Sequence, residues 1–368
     1  MKRAYLALAD GGLYEGTSFG FESETSGEVV FNTSLTGYQE ILTDPSYCKQ
    51  IVLLTYPMIG NYGVNLEDVE SSKIQAAGLI VKEYCATPSN WRSTQTLSEY
   101  LKENKIVAVQ GLPTREIVRR IRDKGAQPGI LATGDWDTQE LLRKAADLPS
   151  MAGQNLTPNV TCSAPYVVSP KDNPASYKII AFDFGIKQNI VRELVARGCE
   201  VKVVPADTSA EDVLKEKPDG IFLSNGPGDP AACTEIIKNI QKMIPSNIPM
   251  FGICLGFQLL SLALGAKTFK LKFGHRGGNQ PVKDLKSGRV LITAQNHGFA
   301  VHPESLISDM ELTQLNLNDG TAEAFRHKKY PIEAVQYHPE AAPGPHDSNI
   351  FFDEFCERVK NAKTHRHS

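Results

Sequence analysis

Residues 249–258, which read PMFGICLGFQ, join a short apolar run to an apolar stretch of helical length. The form G-x-C-x-G sets Cys254 between a predicted strand and a predicted helix, in the geometry of a nucleophile elbow. Gly252 and Gly256 allow the backbone to turn sharply and a substrate to approach. The helix N-terminus favours the thiolate, because its dipole and free N–H groups stabilise negative charge. The alternative, a buried structural cysteine, is less favoured beside these glycines.

Short apolar runs alternate with amphipathic segments on both sides of this elbow. The predicted strands and helices follow each other in strict order at 178–182 (strand), 189–197 (helix), 201–204 (strand), 210–216 (helix), 220–223 (strand), 234–243 (helix), 249–253 (strand) and 255–264 (helix). Runs that are apolar throughout are typical of strands buried on both faces. The alternation predicts an α/β fold with a doubly wound, mostly parallel sheet. The chain then becomes rich in predicted strands and ends in an amphipathic helix at 351–359.

The first part of the chain predicts a separate, β-rich α/β domain. Strands are expected at 28–31 and 50–54, and Thr114 is expected to cap a basic helix that follows it. Prolines among Ser and Asn predict a linker over 151–177. We therefore expect an N-terminal domain over 1–150 and a second domain over 178–368.

Composition excludes several classes of function. The 368 residues carry 39 Lys and Arg against 42 Asp and Glu, and a net charge of −3 does not favour nucleic-acid binding. No apolar run reaches the roughly 18–20 residues that a membrane helix needs. The seven cysteines are widely spaced and form no C-x-x-C pair, which argues against a disulfide framework or a zinc site. These features predict a cytoplasmic protein without a metal site.

A cysteine nucleophile needs a base. His338-Pro339-Glu340 follows a predicted strand at 332–337. Residues two apart in an extended segment point the same way, so Glu340 can orient His338 and stabilise its imidazolium. Taken alone, H-P-E is equally typical of a simple turn. Together with the cysteine elbow upstream, it specifically indicates a catalytic base. His297 is the nearest competing imidazole.

A glycine-rich loop at 224–231, which reads SNGPGDPA, follows another predicted strand. It contains G-x-G-x-x-A, so a dinucleotide fingerprint is one interpretation. Pro227 and Pro230 remove N–H donors that a pyrophosphate would use, and no acidic residue follows at the required place. The loop is better interpreted as half of an oxyanion hole, with the amide of Leu255 as the other half. The sequence has no G-x-x-x-x-G-K-[ST] motif for ATP.

Cys254, His338, Glu340 and the 225–228 loop together resemble a class I (triad-type) glutamine amidotransferase domain over about 178–360. Other stretches resemble the carbamoyl-phosphate synthase small chain family; they lie at 27–34, 36–40, 43–47, 274–279, 295–301 and 343–347. The resemblance covers nearly the whole chain, and it implies a flavodoxin-like sheet in the second domain. Two positions depart from the family pattern. Phe257 stands where a histidine is common in the elbow, and Pro113 replaces the Asp of an I-D-T-R stretch.

The resemblance implies a glutaminase that hydrolyses L-glutamine and passes ammonia to a separate, ATP-using large chain. The implied product is carbamoyl phosphate, a precursor for pyrimidine and arginine biosynthesis. The implied assembly is a heterodimer or a higher oligomer of heterodimers. No cofactor is expected in this chain, with ATP and metal ions such as Mg²⁺ on the large chain. Carried over by position, the glutamine-binding residues are Ser46, Gly226, Gly228, Leu255, Gln258, Asn296, Gly298 and Phe299.

The N-terminal domain is expected to dock the large chain through a surface that includes residues 28–47, with Tyr38 and Tyr47. Two alternatives remain at this stage. One is a free-standing cysteine hydrolase of γ-glutamyl bonds, which an N-terminal domain without its own catalytic pair disfavours. The other is a non-catalytic scaffold, which the presence of Cys254, His338 and Glu340 disfavours.

Overall fold

The computed structural model describes residues 2–171 and 174–366, and the chain divides into two compact units. The first unit comprises Met1–Ala152 and the short insertion Lys272–Gly277. The second comprises Gly153–Leu271 and Gly278–Ser368. No helix of the described residues is both long and apolar enough to cross a membrane.

The first unit is built around a closed β-barrel. Its strands, in chain order, are β1 (Arg3–Leu8), β2 (Leu13–Ser18), β3 (Glu24–Asn32), β4 (Gln50–Leu54), β5 (Met58–Ile59), β6 (Gly78–Ile80), β7 (Glu83–Tyr84), β8 (Val107–Gln110) and β9 (Gln127–Thr133). Its helices are α1 (Tyr38–Thr43), α2 (Leu97–Glu103), α3 (Thr114–Lys124) and α4 (Thr138–Ala146). Within the described residues the barrel closes in the order β1-β2-β8-β6-β4-β3-β9, and β5 pairs with β7 outside it.

Alternation along the barrel strands divides their side chains between two cores. Val30 and Val52 pack with α1 and α2, whereas their neighbours Val29 and Ile51 enter the cluster that contains residues of α3. The predicted strands at 28–31 and 50–54 therefore lie within β3 and β4. The predicted cap of α3 is shifted by one residue: Thr114 begins the helix and Pro113 takes the cap position without a side-chain hydrogen bond.

Tyr38 and Tyr47 are core residues, which corrects their assignment to a docking surface. Each is 1% exposed. The Tyr38 ring stacks on Tyr62 with centroids 4.1 Å apart. The Tyr47 hydroxyl accepts a 2.8 Å hydrogen bond from Asn32 Nδ2. The Tyr38 hydroxyl donates to Gly63 O, so each buried ring has a hydrogen-bond partner for its hydroxyl group and needs no binding role to explain it.

The remaining strands and helices belong to the second unit, except that residues 272–277, inside the long strand at 268–284, belong to the first unit. The strands are β10 (Tyr166–Val168), β11 (Tyr177–Asp183), β12 (Cys199–Pro205), β13 (Gly220–Leu223), β14 (Met250–Ile253), β15 (Thr268–Asp284), β16 (Val290–Val301), β17 (Met310–Asn316), β18 (Ala322–His327) and β19 (Ile332–Val335). The helices are α5 (Gln188–Ala196), α6 (Ala210–Lys215), α7 (Thr234–Met243), α8 (Leu255–Ala263) and α9 (Ile350–Arg366).

Within the described residues these strands form a sheet in the order β10-β12-β11-β13-β14-β19-β18-β17-β15-β16. The run β12-β11-β13-β14-β19 is parallel throughout. This is the flavodoxin-like order, so the predicted fold class is confirmed. The segment 151–177, which we expected to be a linker, instead contributes β10. Its residues Tyr166, Val167 and Val168 pair antiparallel with the otherwise open edge of β12.

Successive residues of β11 face opposite layers, as the period of a strand requires. Ile180 and Phe182 pack with residues of α6, α7 and α8 on one face. Ile179 and Ala181 pack with residues of α5 and α9 on the other. Helices therefore cover both faces of the parallel strands, and the carboxyl ends of β11, β13, β14 and β19 lie at one edge of the sheet.

The turn from β14 into α8 depends on two glycines that pack against backbone. A Cβ on Gly256 would overlap the carbonyl oxygen of Leu223 in the neighbouring strand β13. A Cβ on Gly252 would come within 2.7 Å of the Gly256 carbonyl carbon. Helix α8 can therefore start this close to the sheet only because both positions of the G-x-C-x-G motif are glycine.

We predict that Gly256→Ala lowers the free energy of unfolding by about 1–3 kcal/mol, because the rigid backbone of β13 cannot move aside for the methyl group. Gly12→Ala is the matched control, since its Cβ would meet only side-chain atoms of Arg120 and Leu8, at 3.1 Å. Urea denaturation of the two variants measures the difference. Equal losses would show that the close approach at Gly256 is relieved elsewhere.

Candidate active site

Cys254 stands alone between β14 and α8 in a strained backbone conformation. Its φ is 53° and its ψ −102°, outside the regions that side-chain-bearing residues ordinarily adopt. The backbone is held on one side by the hydrogen bond from Cys254 N to Val335 O, at 2.9 Å. The Sγ donates a 3.7 Å hydrogen bond to the carbonyl oxygen of Asn296. Backbone strain of this kind is concentrated at functional positions. Here the strained turn places the thiol at the carboxyl edge of the sheet.

His338 and Glu340 follow β19 at the same edge. The distance between His338 Nδ1 and Glu340 Oε1 is 2.7 Å, and both residues are 1% exposed. The backbone is fixed by the hydrogen bond from His338 N to Ala294 O, at 2.9 Å. Nδ1 donates to the carboxylate, and Nε2 has no hydrogen-bond partner within the residues that the structure describes. An imidazole oriented through Nδ1 has Nε2 available for proton transfer.

Lys187 is a further member of the site, and its motif-free surroundings in the sequence do not predict it. Its Nζ lies 2.8 Å from Glu340 Oε1, so one carboxylate oxygen binds both Lys187 and His338. Asn189 Nδ2 donates to the backbone oxygen of Glu340. Lys187 precedes α5 in the connection after β11, and its place beyond a predicted parallel strand was the available signal. A single lysine in a loop carries no chemical signature of its own.

Burial raises the pKa of Glu340, but the charge of Lys187 and the imidazole of His338 outweigh it and lower the pKa to about 2. The carboxylate is therefore ionised at neutral pH. Because the folded pKa lies below the ordinary value of about 4.3, ionised Glu340 stabilises the fold above that value. This contribution is lost only as the pH falls from there towards 2.

The glycine-rich loop after β13 packs beside the elbow. A Cβ on Gly226 would lie 2.8 Å from a methyl carbon of Leu255, and Gly228 has a φ of +95° that favours glycine. Asn225 Oδ1 accepts a 3.2 Å hydrogen bond from Lys187 N, which ties this loop to the connection after β11. The loop therefore brings backbone amides close to Leu255, the first residue of α8, whose N–H has no acceptor within the helix.

Gln258 and the end of β16 form one hydrogen-bonded layer. Gln258 Nε2 donates to Phe299 O at 2.7 Å and to Gln336 Oε1 at 2.9 Å. Asn296, Gly298 and Phe299 all lie on β16, and Asn296 O is the acceptor for the Cys254 thiol. The structure thus gathers the elbow, the base, the glycine-rich loop and this strand at one edge of the second unit. Ser46 belongs to the first unit, where its amide donates to Asp44 Oδ1 in the turn Pro45–Tyr47.

His297, the competing imidazole, is engaged within its own strand. Its Nδ1 lies 2.7 Å from Phe299 O and its Nε2 lies 3.0 Å from Gln295 Oε1. Both ring nitrogens are therefore occupied, and the side chain is 5% exposed. Of these two imidazoles, His338 is the one with a ring nitrogen left for chemistry.

Comparison with known proteins agrees with this geometry. Residues 180–358 match the family described as glutamine amidotransferase class-I. The chain therefore contains a class-I glutamine amidotransferase domain. Residues 6–131 match the CPSase domain of the carbamoyl-phosphate synthase small chain.

Relatives that match over almost their whole length identify the protein family more narrowly. The chain is 56% identical to the carbamoyl phosphate synthase small chain of Syntrophotalea carbinolica, over 97% of this chain and 98% of the relative. It is 54% identical to that of Chlorobaculum tepidum, over 98% of each chain. It is 52% identical to that of Aquifex aeolicus, over 98% of this chain and 99% of the relative. The chain belongs to the carbamoyl phosphate synthase small chain family.

We predict that Lys187→Met lowers the free energy of unfolding at pH 7 by about 3–5 kcal/mol, since it leaves a buried carboxylate without its main counter-charge. It should also raise the pKa of Glu340, so that the acid limb of the activity profile moves to higher pH. Lys202→Met is the matched control, because it breaks the partly exposed 2.6 Å pair with Glu216, worth about 0–1 kcal/mol. Similar losses from the two variants would contradict the stated role of Lys187.

Proposed function

We propose that Cys254 is the nucleophile, His338 the general acid and base, and Glu340 the carboxylate that orients His338. The chain is the glutamine-hydrolysing subunit of a carbamoyl phosphate synthase, and a large chain is its partner. The observation that carries the proposed roles is the 2.7 Å contact of His338 with an ionised Glu340 at the sheet edge where Cys254 stands in its strained turn.

In the first half of the reaction the Cys254 thiolate attacks the side-chain amide carbon of glutamine. A C–S bond forms, and the carbonyl oxygen becomes an oxyanion. His338 then donates a proton to the amide nitrogen, the C–N bond breaks and ammonia leaves. In the second half His338 removes a proton from water, which attacks the γ-glutamyl thioester. The C–S bond breaks, glutamate leaves and the thiolate is restored.

The amides of Leu255 and of the Gly226–Gly228 loop are the proposed donors to the oxyanion. Two backbone donors near a helix N-terminus are the usual form of such a site, and Pro227 limits the loop's donors to its glycines. The assignment of Ser46 to glutamine binding stays a prediction from the family resemblance, and we further propose that Gln258, Asn296, Gly298 and Phe299 hold the glutamine. Support for these four is their place on α8 and β16 beside the thiol.

The half-reaction needs no cofactor in this chain, because attack, protonation and hydrolysis are all served by the side chains named. ATP and its metal ions belong to the large chain in this proposal. We propose a heterodimer as the basic assembly and a cytoplasmic location, where glutamine and ATP are both available.

Replacement of the nucleophile should separate the two activities of the complex. We predict that Cys254→Ser lowers glutamine-dependent carbamoyl phosphate synthesis and ammonia release from glutamine by at least about a thousandfold. Free ammonia should still support synthesis at the parental rate, because the docking surfaces are unchanged. His338→Asn in the same assays should cause a larger loss of kcat than His297→Asn. Substantial glutamine-dependent activity in Cys254→Ser would rule out the thioester route, and undiminished activity in His338→Asn would rule out the assigned base.

Three large apolar side chains of the first unit are exposed to solvent. Leu35, Leu66 and Trp91 are 74%, 87% and 92% exposed. Exposed apolar side chains mark an interaction surface where they lie close together, whereas single ones are common on any protein. We call these three residues the apolar triplet.

Hydrogen bonds join the three segments that carry the apolar triplet. Gln39 Nε2 donates to Asn65 O and Asn65 N donates to Gln39 Oε1 at 3.0 Å, so the segment after Leu35 lies beside the one that carries Leu66. Arg92, next to Trp91, pairs with Asp68 at 2.7 Å. We propose that the apolar triplet and the segments that carry it form the face that docks the large chain. This face takes the role that the sequence assigned to Tyr38 and Tyr47.

We predict that Trp91→Ala weakens binding of the purified large chain by about tenfold or more, because tryptophan is enriched among the dominant residues of interfaces. Leu66→Ser should weaken it less. Ammonia release by the isolated chain should be unchanged in both. Leu13→Ser, at a 36% exposed leucine of the same unit, is the control. Calorimetric titration measures the affinities, and a loss for Leu13→Ser that matches that of Trp91→Ala would contradict the assigned face.

A further inference from the structure

Two cysteines outside the active site meet inside the second unit. Cys199 begins β12 and Cys356 lies on α9, and their Sγ atoms are 3.8 Å apart. At this distance the two thiols are in contact and form a weak S–H···S hydrogen bond. A disulfide bond is about 2.0 Å long, so bond formation needs an approach of less than about 2 Å. Cys199 is fully buried, whereas Cys356 is only partly buried and remains accessible to small molecules.

Polar contacts hold α9 against the turn that leads into β12. Arg197 Nε lies 2.6 Å from Asp353 Oδ1 on α9, and Arg197 Nη2 donates to Asn349 Oδ1 at 2.7 Å. The guanidinium also lies 5.4 Å from the centre of the Phe352 ring. Arg197 is two residues before Cys199, and Asp353 is three residues before Cys356. These contacts hold the start of β12 against α9, and so keep the two sulfurs together.

The surroundings make the two thiols unequal. A hydrogen bond from Cys199 lowers the pKa of Cys356 against the effect of burial, and the charge of Arg197 lowers it further. The same hydrogen bond and burial raise the pKa of Cys199. Cys356 is therefore the sulfur that ionises first, and it is also the more exposed of the two. A thiolate is the reactive form of cysteine.

We propose that Cys199 and Cys356 are a redox-active dithiol that hydrogen peroxide converts into a disulfide. The Cys356 thiolate attacks one peroxide oxygen, an S–O bond forms, the O–O bond breaks and hydroxide leaves. The sulfur of Cys199 then attacks the resulting sulfenic acid. The S–S bond forms, the S–O bond breaks and water leaves. Overall two thiols give up two electrons and two protons, and one peroxide becomes two waters.

Other cysteine sulfurs of the chain contact oxygen atoms. Cys233 Sγ lies 3.4 Å from Asn155 Oδ1, Cys85 Sγ lies 3.3 Å from Thr87 O, and Cys254 Sγ lies 3.7 Å from Asn296 O. A sulfenic acid on any of these has an oxygen as its neighbour. A sulfenic acid on Cys356 has a sulfur in contact, which directs the second step to Cys199.

The disulfide would join β12 to the helix that follows the catalytic segment. Asn349, which Arg197 holds, donates to Pro339 O at 3.4 Å, between His338 and Glu340. The bond closes a sequence separation of 157 residues. Oxidation therefore fixes α9 covalently at the face of the sheet opposite α8, without using any residue assigned to glutamine hydrolysis.

The test uses the full-length Cys254→Ser chain, so that oxidation of the catalytic thiol does not interfere. The protein is treated with hydrogen peroxide and unfolded in urea, its free thiols are blocked with N-ethylmaleimide, and it is digested without reductant. We expect two alkylatable thiols to disappear. A cross-linked peptide pair containing Cys199 and Cys356 should appear, lighter than the two separate peptides by two hydrogens, and dithiothreitol should restore both thiols.

Two further variants on the Cys254→Ser background act as controls. Cys356→Ser should abolish the cross-link, and Cys162→Ser should retain it. The proposal is overturned if Cys199 and Cys356 remain separately alkylatable while other cysteines oxidise. It is equally overturned if Cys356 accumulates as sulfinic acid without the cross-link, or if Cys199 pairs with a different cysteine. Because thiol mapping on the Cys254→Ser chain decides the question, poor folding of Cys356→Ser would not obscure it.

Discussion

The buried carboxylate of Glu340 is the constraint on which the active edge of the second unit depends. One oxygen binds Lys187 and His338 at 2.8 and 2.7 Å, in a site where the carboxyl group is almost fully buried. A buried charge is tolerated only when it is paired and hydrogen-bonded. The connection after β11 and the segment after β19 are therefore held together by a charge that neither could bury alone. The lowered pKa of Glu340 is the electrostatic measure of this pairing.

Sheet topology explains why these groups meet although they are far apart in the chain. Every parallel strand of this sheet ends at the same edge, so the residues that follow β11, β13, β14 and β19 are neighbours in space. Each of these four connections supplies a different part of the active site: Lys187, the glycine-rich loop, Cys254 and His338. Because the strands beneath are buried on both faces, the edge is a rigid platform. The strain at Cys254 can be stored there, since the backbone on both sides is fixed by the sheet and by α8.

The sequence predicted the second unit well wherever burial leaves a strong pattern. The strand β13 and the helix α7 have the predicted limits, 220–223 and 234–243, because apolar runs and helical spacing are both unambiguous there. Strands at the edge of the sheet were harder to predict. The strand β10 at 166–168 is short and half-exposed, so its proline-rich surroundings predicted a linker. Pairing with β12 supplies the stabilisation that local sequence does not reveal.

Residues whose role depends on a distant partner were beyond the reach of pattern analysis. Cys254, His338 and Glu340 belong to motifs in which neighbours along the chain define the chemistry. Lys187 acquires its importance only from Glu340, which is separated from it by most of the domain. The local sequence shows no structural task for Tyr38 and Tyr47, which is why it predicts a docking role for them, yet Tyr62 and Asn32 complete their burial. In each case a long-range contact, and not the local sequence, decides what the side chain does.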